Sequence, residues 1–170
     1  MEMAEALRDH TRVSVCGANA LGKDWMAGRI ALWWMKAHEP EPAKVVITGP
    51  TNRQVKDVVW QEARSAYLKA RIPLGGRLFE VPYLKWDEER FIIGFSTDRD
   101  YQLQGFHSPN LLVIVTEAHG VGQKHMDALF RLRPKAVLLT GNPLSESGEF
   151  YESHHGSARL WRTVGITAFE

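Results

Sequence analysis

A single cysteine, Cys16, stands among the 170 residues, so no internal disulfide can form and the fold rests on its core. No apolar run approaches the roughly 18 residues of a membrane-spanning helix; the longest lies around positions 30–35 and reads as part of a core helix. No charged-then-apolar leader with a small-residue cleavage site opens the sequence, which sets the expectation of an intracellular protein. An excess of one charge is missing too. With 21 Lys and Arg against 20 Asp and Glu the net charge is +1, so any surface for a polyanion has to be local. Internal repeats, linkers and low-complexity tracts are absent. What is there, 44% hydrophobic and 24% charged residues, is the composition of an ordinary globular chain with length for one domain, expected over 1–170. The six tryptophans read as large core filler.

Hydrophobic periodicity alternates between strand and helix. Residues 12–16 (RVSVC) form a short β-run before a glycine-containing turn. From Gly22 onward, Met26, Ile30, Trp33 and Trp34 recur at three- and four-residue spacing, as on one helix face. Pro40 and Pro42 end that helix, and residues 44–48 (KVVIT) are a nearly all-apolar strand of the kind buried on both faces of a parallel sheet. Thr51 and Gln54 have capping-box spacing ahead of a helix predicted to about position 71, with Val55, Val58, Val59, Ala63, Ala66 and Ala70 on one face. Residues 83–97 read as an antiparallel pair around the turn Asp87-Glu88-Glu89, at a sheet edge. Strands are predicted at 111–115, 136–140 and 161–169, and a helix at 123–132. The expected fold is α/β: three layers around a mostly parallel sheet with an antiparallel edge, ligands binding outside the carboxyl ends of the strands.

Between the first strand and the first helix, Gly17, Ala18, Asn19, Ala20, Leu21, Gly22 and Lys23 match the phosphate-loop pattern G-x-x-x-x-G-K, followed by Asp24 and Trp25. Glycines let successive N–H groups face phosphate oxygens, the helix N-terminus adds positive potential, and Lys23 supplies a charge for the β- and γ-phosphates. The competing reading is a glycine-rich turn with a surface lysine. The strand at 111–115 leads into Thr116-Glu117-Ala118-His119, which matches an apolar strand ending in D-E-A-H except at its first acid. Glu117 then stands where a carboxylate polarises the attacking water. Two positions depart from the usual residues: Asp24 replaces a hydroxyl and Thr116 a carboxylate, both beside the expected Mg2+. The departures look reciprocal, leaving one carboxylate and one hydroxyl as metal ligands. The alternative is that both degrade the site. Thr140, Gly141 and Asn142, after the strand at 136–140, place short polar groups near the expected γ-phosphate, and His119 is expected to contact Thr140 or Asn142. His154 and His155 beside Glu152 lack one-face helical spacing and read as a solvated loop rather than a metal site.

Four stretches, VSVCGANALGKDWMAGRIALWWM, KVVITGPTNRQVKDVVWQEAR, GFHSPNLLVIVTEAHGV and VLLTGNPLSESGEFYES, resemble in order and spacing the ATPase domain of the large terminase subunit of tailed bacteriophages, the DNA-packaging motor. The resemblance implies a P-loop NTPase that uses ATP and Mg2+ to drive double-stranded DNA into a capsid. Its partners would be the portal protein and the small terminase subunit, and its working form a homo-oligomeric ring in the bacterial host cytoplasm. Residues 17–25 would bind nucleotide, with Lys23 and Glu117 catalytic, and Thr140, Gly141 and Asn142 would couple hydrolysis to DNA movement. No arginine or lysine lies between Gly17 and Gly22, where some relatives carry an arginine. Arg99, Arg131 and Arg133 are candidates for one supplied by a neighbouring subunit. The family's nuclease domain does not follow within these residues, so no cutting activity is expected, and the lead-in before the first strand is short. Two other readings stay open: a non-hydrolysing nucleotide-binding assembly module, and a helicase-like translocase suggested by TEAHG.

Overall fold

The computed structural model describes residues 2–18, 20–97 and 106–166. It begins with a helix that periodicity did not single out, α1 (Glu2–Asp9), which buries Met3, Ala6 and Leu7 from one face. β1 (Arg12–Gly17), α2 (Lys23–Ala37) and β2 (Ala43–Gly49) follow close to expectation. Thr51 does cap the next helix, accepting the Gln54 N–H at 3.3 Å. That helix opens with π-helical turns (Gln54–Val59) before α3 (Trp60–Leu68). The wider turns keep Val55 and Val59 buried, whereas Val58, expected on the same face, is 39% exposed. Ala70, also expected there, lies past the helix end and is exposed.

The short strands β3 (Arg77–Leu78) and β4 (Tyr83–Lys85) precede β5 (Arg90–Ser96) and β6 (Leu111–Val115). α4 (Gln123–Arg131) leads into β7 (Ala136–Gly141). The chain closes with α5 (Glu149–His154), also not anticipated, and β8 (Arg162–Ile166). The last strand was expected to reach position 169, but residues 167–170 lie outside the described residues.

One eight-stranded sheet has the order β3-β4-β5-β2-β6-β7-β1-β8. β5 through β8 run parallel, and β3–β4 and β4–β5 form the antiparallel edge. β1 and β2, joined through α2, are not neighbours, because β6 and β7 insert between them. Strand alternation divides the interior into two cores. Leu112 and Ile114 pack with Val13, Val15 and helices α1 to α3, while Leu111, Val113 and Val115 pack with Met126 and Leu129 of α4 and Phe150 of α5. The result is three layers. Trp34, Trp60 and Trp161 fill these cores, but Trp25 and Trp33 are 46% and 39% exposed, against their reading as core filler.

α2 and α3 approach through Gly28, where an added Cβ would lie 2.6 Å from Ala63 N. The Gly28→Ala variant is therefore expected to force the helices apart and to lower stability by about 1–3 kcal/mol, read as a drop in Tm.

Candidate functional site

The site is built at the carboxyl ends of β1, β7 and β6. At Gly17 a Cβ would fall 2.9 Å from Ile166 O, so only glycine lets the loop leave β1 alongside β8. The chain then passes through left-handed backbone at Ala20 (φ 62°) and Gly22 (φ 77°) before α2 begins. Gly22 adopts this without penalty, whereas Ala20 holds about 1 kcal/mol of strain. No side chain caps α2, so the free N–H groups of its first turn remain donors for an anion. Asn19 lies outside the described residues.

Lys23 is 5% exposed. Its Nζ donates to Gly17 O at 2.9 Å, to Ala18 O at 2.6 Å and to Asn142 Oδ1 at 3.0 Å. An ammonium has three N–H donors, so all are engaged, two on its own loop and one on the residue after β7. Sequence reasoning did not find this bridge.

One residue along α2, Asp24 Oδ1 accepts a hydrogen bond from Thr116 Oγ1 at 2.8 Å. Thr116 follows β6 and is 1% exposed, its N–H bound to Thr48 O at 2.8 Å. Opposite it, a Cβ on Gly49 would sit 2.8 Å from Thr116 Cγ2. The Gly49→Ala variant is thus expected to push Thr116 off Asp24 and to lower stability by about 1–3 kcal/mol, read as a drop in Tm.

Glu117 adopts left-handed backbone (φ 46°, ψ 44°), a strained conformation of the kind found at functional sites. Its Oε2 is 3.5 Å from His119 Nδ1, which also accepts the Asn142 N–H at 3.3 Å. The accepting Nδ1 puts the proton of a neutral ring on Nε2. Gly141 makes this contact possible, since a Cβ there would lie 3.0 Å from the Phe150 ring and 3.2 Å from His119 Nδ1. Thr140 is fully buried and its hydroxyl has no hydrogen-bond partner among the described residues.

Trp25 points to solvent from the first turn of α2, with the Arg29 guanidinium 3.6 Å from its ring centre. Arg131, the last residue of α4, and Arg133, between α4 and β7, are exposed at the end of β7 remote from Gly141, so they do not join this cluster. Arg99 lies outside the described residues.

His154 corrects an expectation. It ends α5 rather than lying in a solvated loop, and its Nε2 is 2.9 Å from Ser14 Oγ of β1. Ser14 Oγ is 2.7 Å from Ser153 Oγ, which donates to Phe150 O at 2.6 Å. With the Ser14 hydroxyl donating to Ser153, the imidazole donates through Nε2–H. Burial, and secondarily His155, hold the His154 pKa below its ordinary value. The unfolded chain then binds more protons as pH falls below about 6.5, so the contribution is present above that pH and is lost through the folded pKa. Tm is expected to drop as pH falls below about 6.5, less steeply in His154→Gln, as thermal melts across pH would show.

No family model matches the chain. It is 26% identical over 160 residues to the probable large terminase subunit of Enterobacteria phage P7, a match covering 87% of this chain and 32% of that protein. The chain is related to phage large terminase subunits. It spans about a third of that relative's length. The large terminase ATPase domain of Thermus phage P74-26 superposes with a TM-score of 0.70 at 17% identity, covering 98% of this chain and 80% of that one. A large terminase from a thermophilic bacteriophage, solved in complex with ADP, gives 0.63 at 14% identity, covering 95% and 40%. The Hef helicase domain of Pyrococcus furiosus gives 0.58 at 18%, covering 98% and 38%. At these identities the superpositions describe a fold, shared by terminase and helicase domains.

Proposed function

We propose that the chain is an ATP-hydrolysing motor domain of a viral large terminase subunit, acting on double-stranded DNA. The observation that carries this reading is the convergence of the loop residues Lys23 and Asp24 with Thr116 and Asn142, from the ends of β6 and β7. The N–H groups of the loop and of the first turn of α2 would receive phosphate oxygens. Lys23 would exchange its bonds to Gly17 O and Ala18 O for the β- and γ-phosphates, and in doing so release Asn142. That exchange gives β7 a means to sense the nucleotide. Glu117, beside Thr116, would orient the attacking water and take its proton.

The adjacent Asp24 carboxylate and Thr116 hydroxyl are hard oxygen donors, which fits Mg2+, an ion commonly held by one or two carboxylates together with waters and substrate phosphates. When bound there, the ion neutralises phosphate charge. Without it, Asp24 repels the same phosphates, so tight magnesium dependence follows. In the working assembly, by the same resemblance, the partners are portal protein, small terminase subunit and further copies in a ring, in the host cytoplasm.

Steady-state ATP hydrolysis by this chain tests the reading. Turnover is expected only with Mg2+, and Glu117→Gln should lower kcat by about 10²-fold or more while nucleotide still binds. Binding without any turnover in the native chain would favour a non-hydrolysing assembly module, a reading supported by the fully engaged Lys23 amine.

A further inference from the structure

The opposite end of the sheet carries a second charged feature. The amino ends of β1 and β7, with the end of α4, border a cleft of about 460 Å³ whose lining includes Arg12, Arg133 and Lys135 and no carboxylate. Five cations elsewhere, Arg8, Arg29, Lys36, Lys44 and Lys85, lie within ion-pair distance of an Asp or Glu. Among the described residues none of the three cleft cations has such a partner. The Arg12 guanidinium lies over the rings of Phe130 and Trp161, 5.4 and 5.8 Å from their centres, which orients it without cancelling its charge. Lys135 donates to the neutral Asn110 Oδ1 at 2.6 Å. Arg133 is exposed and held in left-handed backbone at φ 51°. Cations gathered without counter-charge repel one another, and in a chain of net charge +1 this cluster is local rather than a by-product of composition.

Three cations border the one cleft. A neighbouring cleft of about 350 Å³ shares Thr11 and Lys135 with the first; there Lys135 also donates to His38 Nε2 at 3.3 Å, and Arg8 is paired with Asp9. A polymer of closely spaced phosphates, with a charge about every 3.4 Å along each strand, matches such a surface better than an isolated phosphate does. We propose that this cleft binds the phosphodiester backbone of double-stranded DNA through Arg12, Arg133 and Lys135. The inference rests on the DNA-motor reading above, and it separates the DNA-contacting end of the sheet from the nucleotide end. β1 and β7 run between the two, from Arg12 and Ala136 to Gly17 and Gly141.

The test is binding of a fluorescently labelled 30-base-pair duplex to the chain, followed by anisotropy between 50 and 200 mM salt. The double variant Arg133→Gln/Lys135→Gln is expected to weaken binding on the order of ten-fold and to reduce the slope of log K against log salt by about 1.8, two phosphate contacts' worth. Neutralising Lys69 and Arg71, exposed cations beyond α3, should change neither. Arg133→Gln alone, at an exposed position, guards against misfolding of the double variant and should show about half the slope change. Wild-type affinity and slope in the variants would overturn the assignment while leaving the motor reading intact. No duplex binding by the native chain even at 50 mM salt would overturn both. Competition by pyrophosphate or by polyglutamate as effective as that by unlabelled duplex would overturn the assignment in favour of a small anion or an acidic protein segment.

Discussion

Replacing Lys23 with methionine is expected to cut ATP turnover by about 10²–10³-fold, the usual loss when one preorganised donor to the developing charge is removed. The variant should do so without unfolding the chain. The lysine stem is packed at 5% exposure, and methionine refills that volume while removing a buried charge. Opposing this, Gly17 O, Ala18 O and Asn142 Oδ1 lose a donor, each worth about 1 kcal/mol net. Tm should therefore move by only a few degrees, against a large loss in kcat measured on the same preparation. Lys23→Ala would mix a cavity with the chemistry and is the poorer variant. Retained turnover in Lys23→Met would mean that hydrolysis does not occur at this loop.

The parts of the fold legible in the sequence are those set by local pattern. Residues 111–115 are five consecutive apolar residues, too short for a helix of usual length, and read as a strand buried on both faces; β6 has those bounds. The glycines and Lys23, placed between an apolar run and a helical period, fix where β1 ends and α2 starts. Strand order is a different matter, because insertion of β6 and β7 between β1 and β2 depends on long-range pairing that no spacing records. The Met3, Ala6 and Leu7 triplet did carry a helical signal, but over eight residues it is too short to stand out. α5 was hidden because its buried face includes Ser153, a polar residue that becomes a core residue only by meeting Ser14 and His154.

The site divides in the same way. Asp24 and Thr116 can be paired from the sequence, since each departs from a motif whose geometry is known, and they are hydrogen-bonded in the structure. The Lys23–Asn142 bridge is not legible, because where an unliganded lysine folds depends on acceptors brought by another strand. The same holds for His119, whose acceptor role toward Asn142 needs the bare backbone of Gly141 beside it.

Exchanging Asp24 and Thr116, the residues proposed to hold Mg2+, is the second large effect. If Asp24 and Thr116 form a reciprocal pair, Asp24→Ser leaves two hydroxyls and no carboxylate for Mg2+, and turnover is expected to fall by at least about 10-fold, a 1.4 kcal/mol loss at the metal. Thr116→Asp alone instead sets two carboxylates within the 2.8 Å contact that a hydroxyl now makes with Asp24. Like charges that close cannot both ionise without a cation between them, so this variant should bind nucleotide poorly in the absence of Mg2+ and should lose stability. The double variant Asp24→Ser/Thr116→Asp restores one hydroxyl facing one carboxylate, with the hydrogen bond reversed. Its turnover should match or exceed that of the native chain, giving an interaction free energy of about 1–3 kcal/mol from the four rates. Either single variant outperforming the pair would show that the two departures are independent. In that case Asp24 is simply a negative charge beside the phosphates, and Asp24→Asn should bind ATP without Mg2+ more tightly than the native chain does.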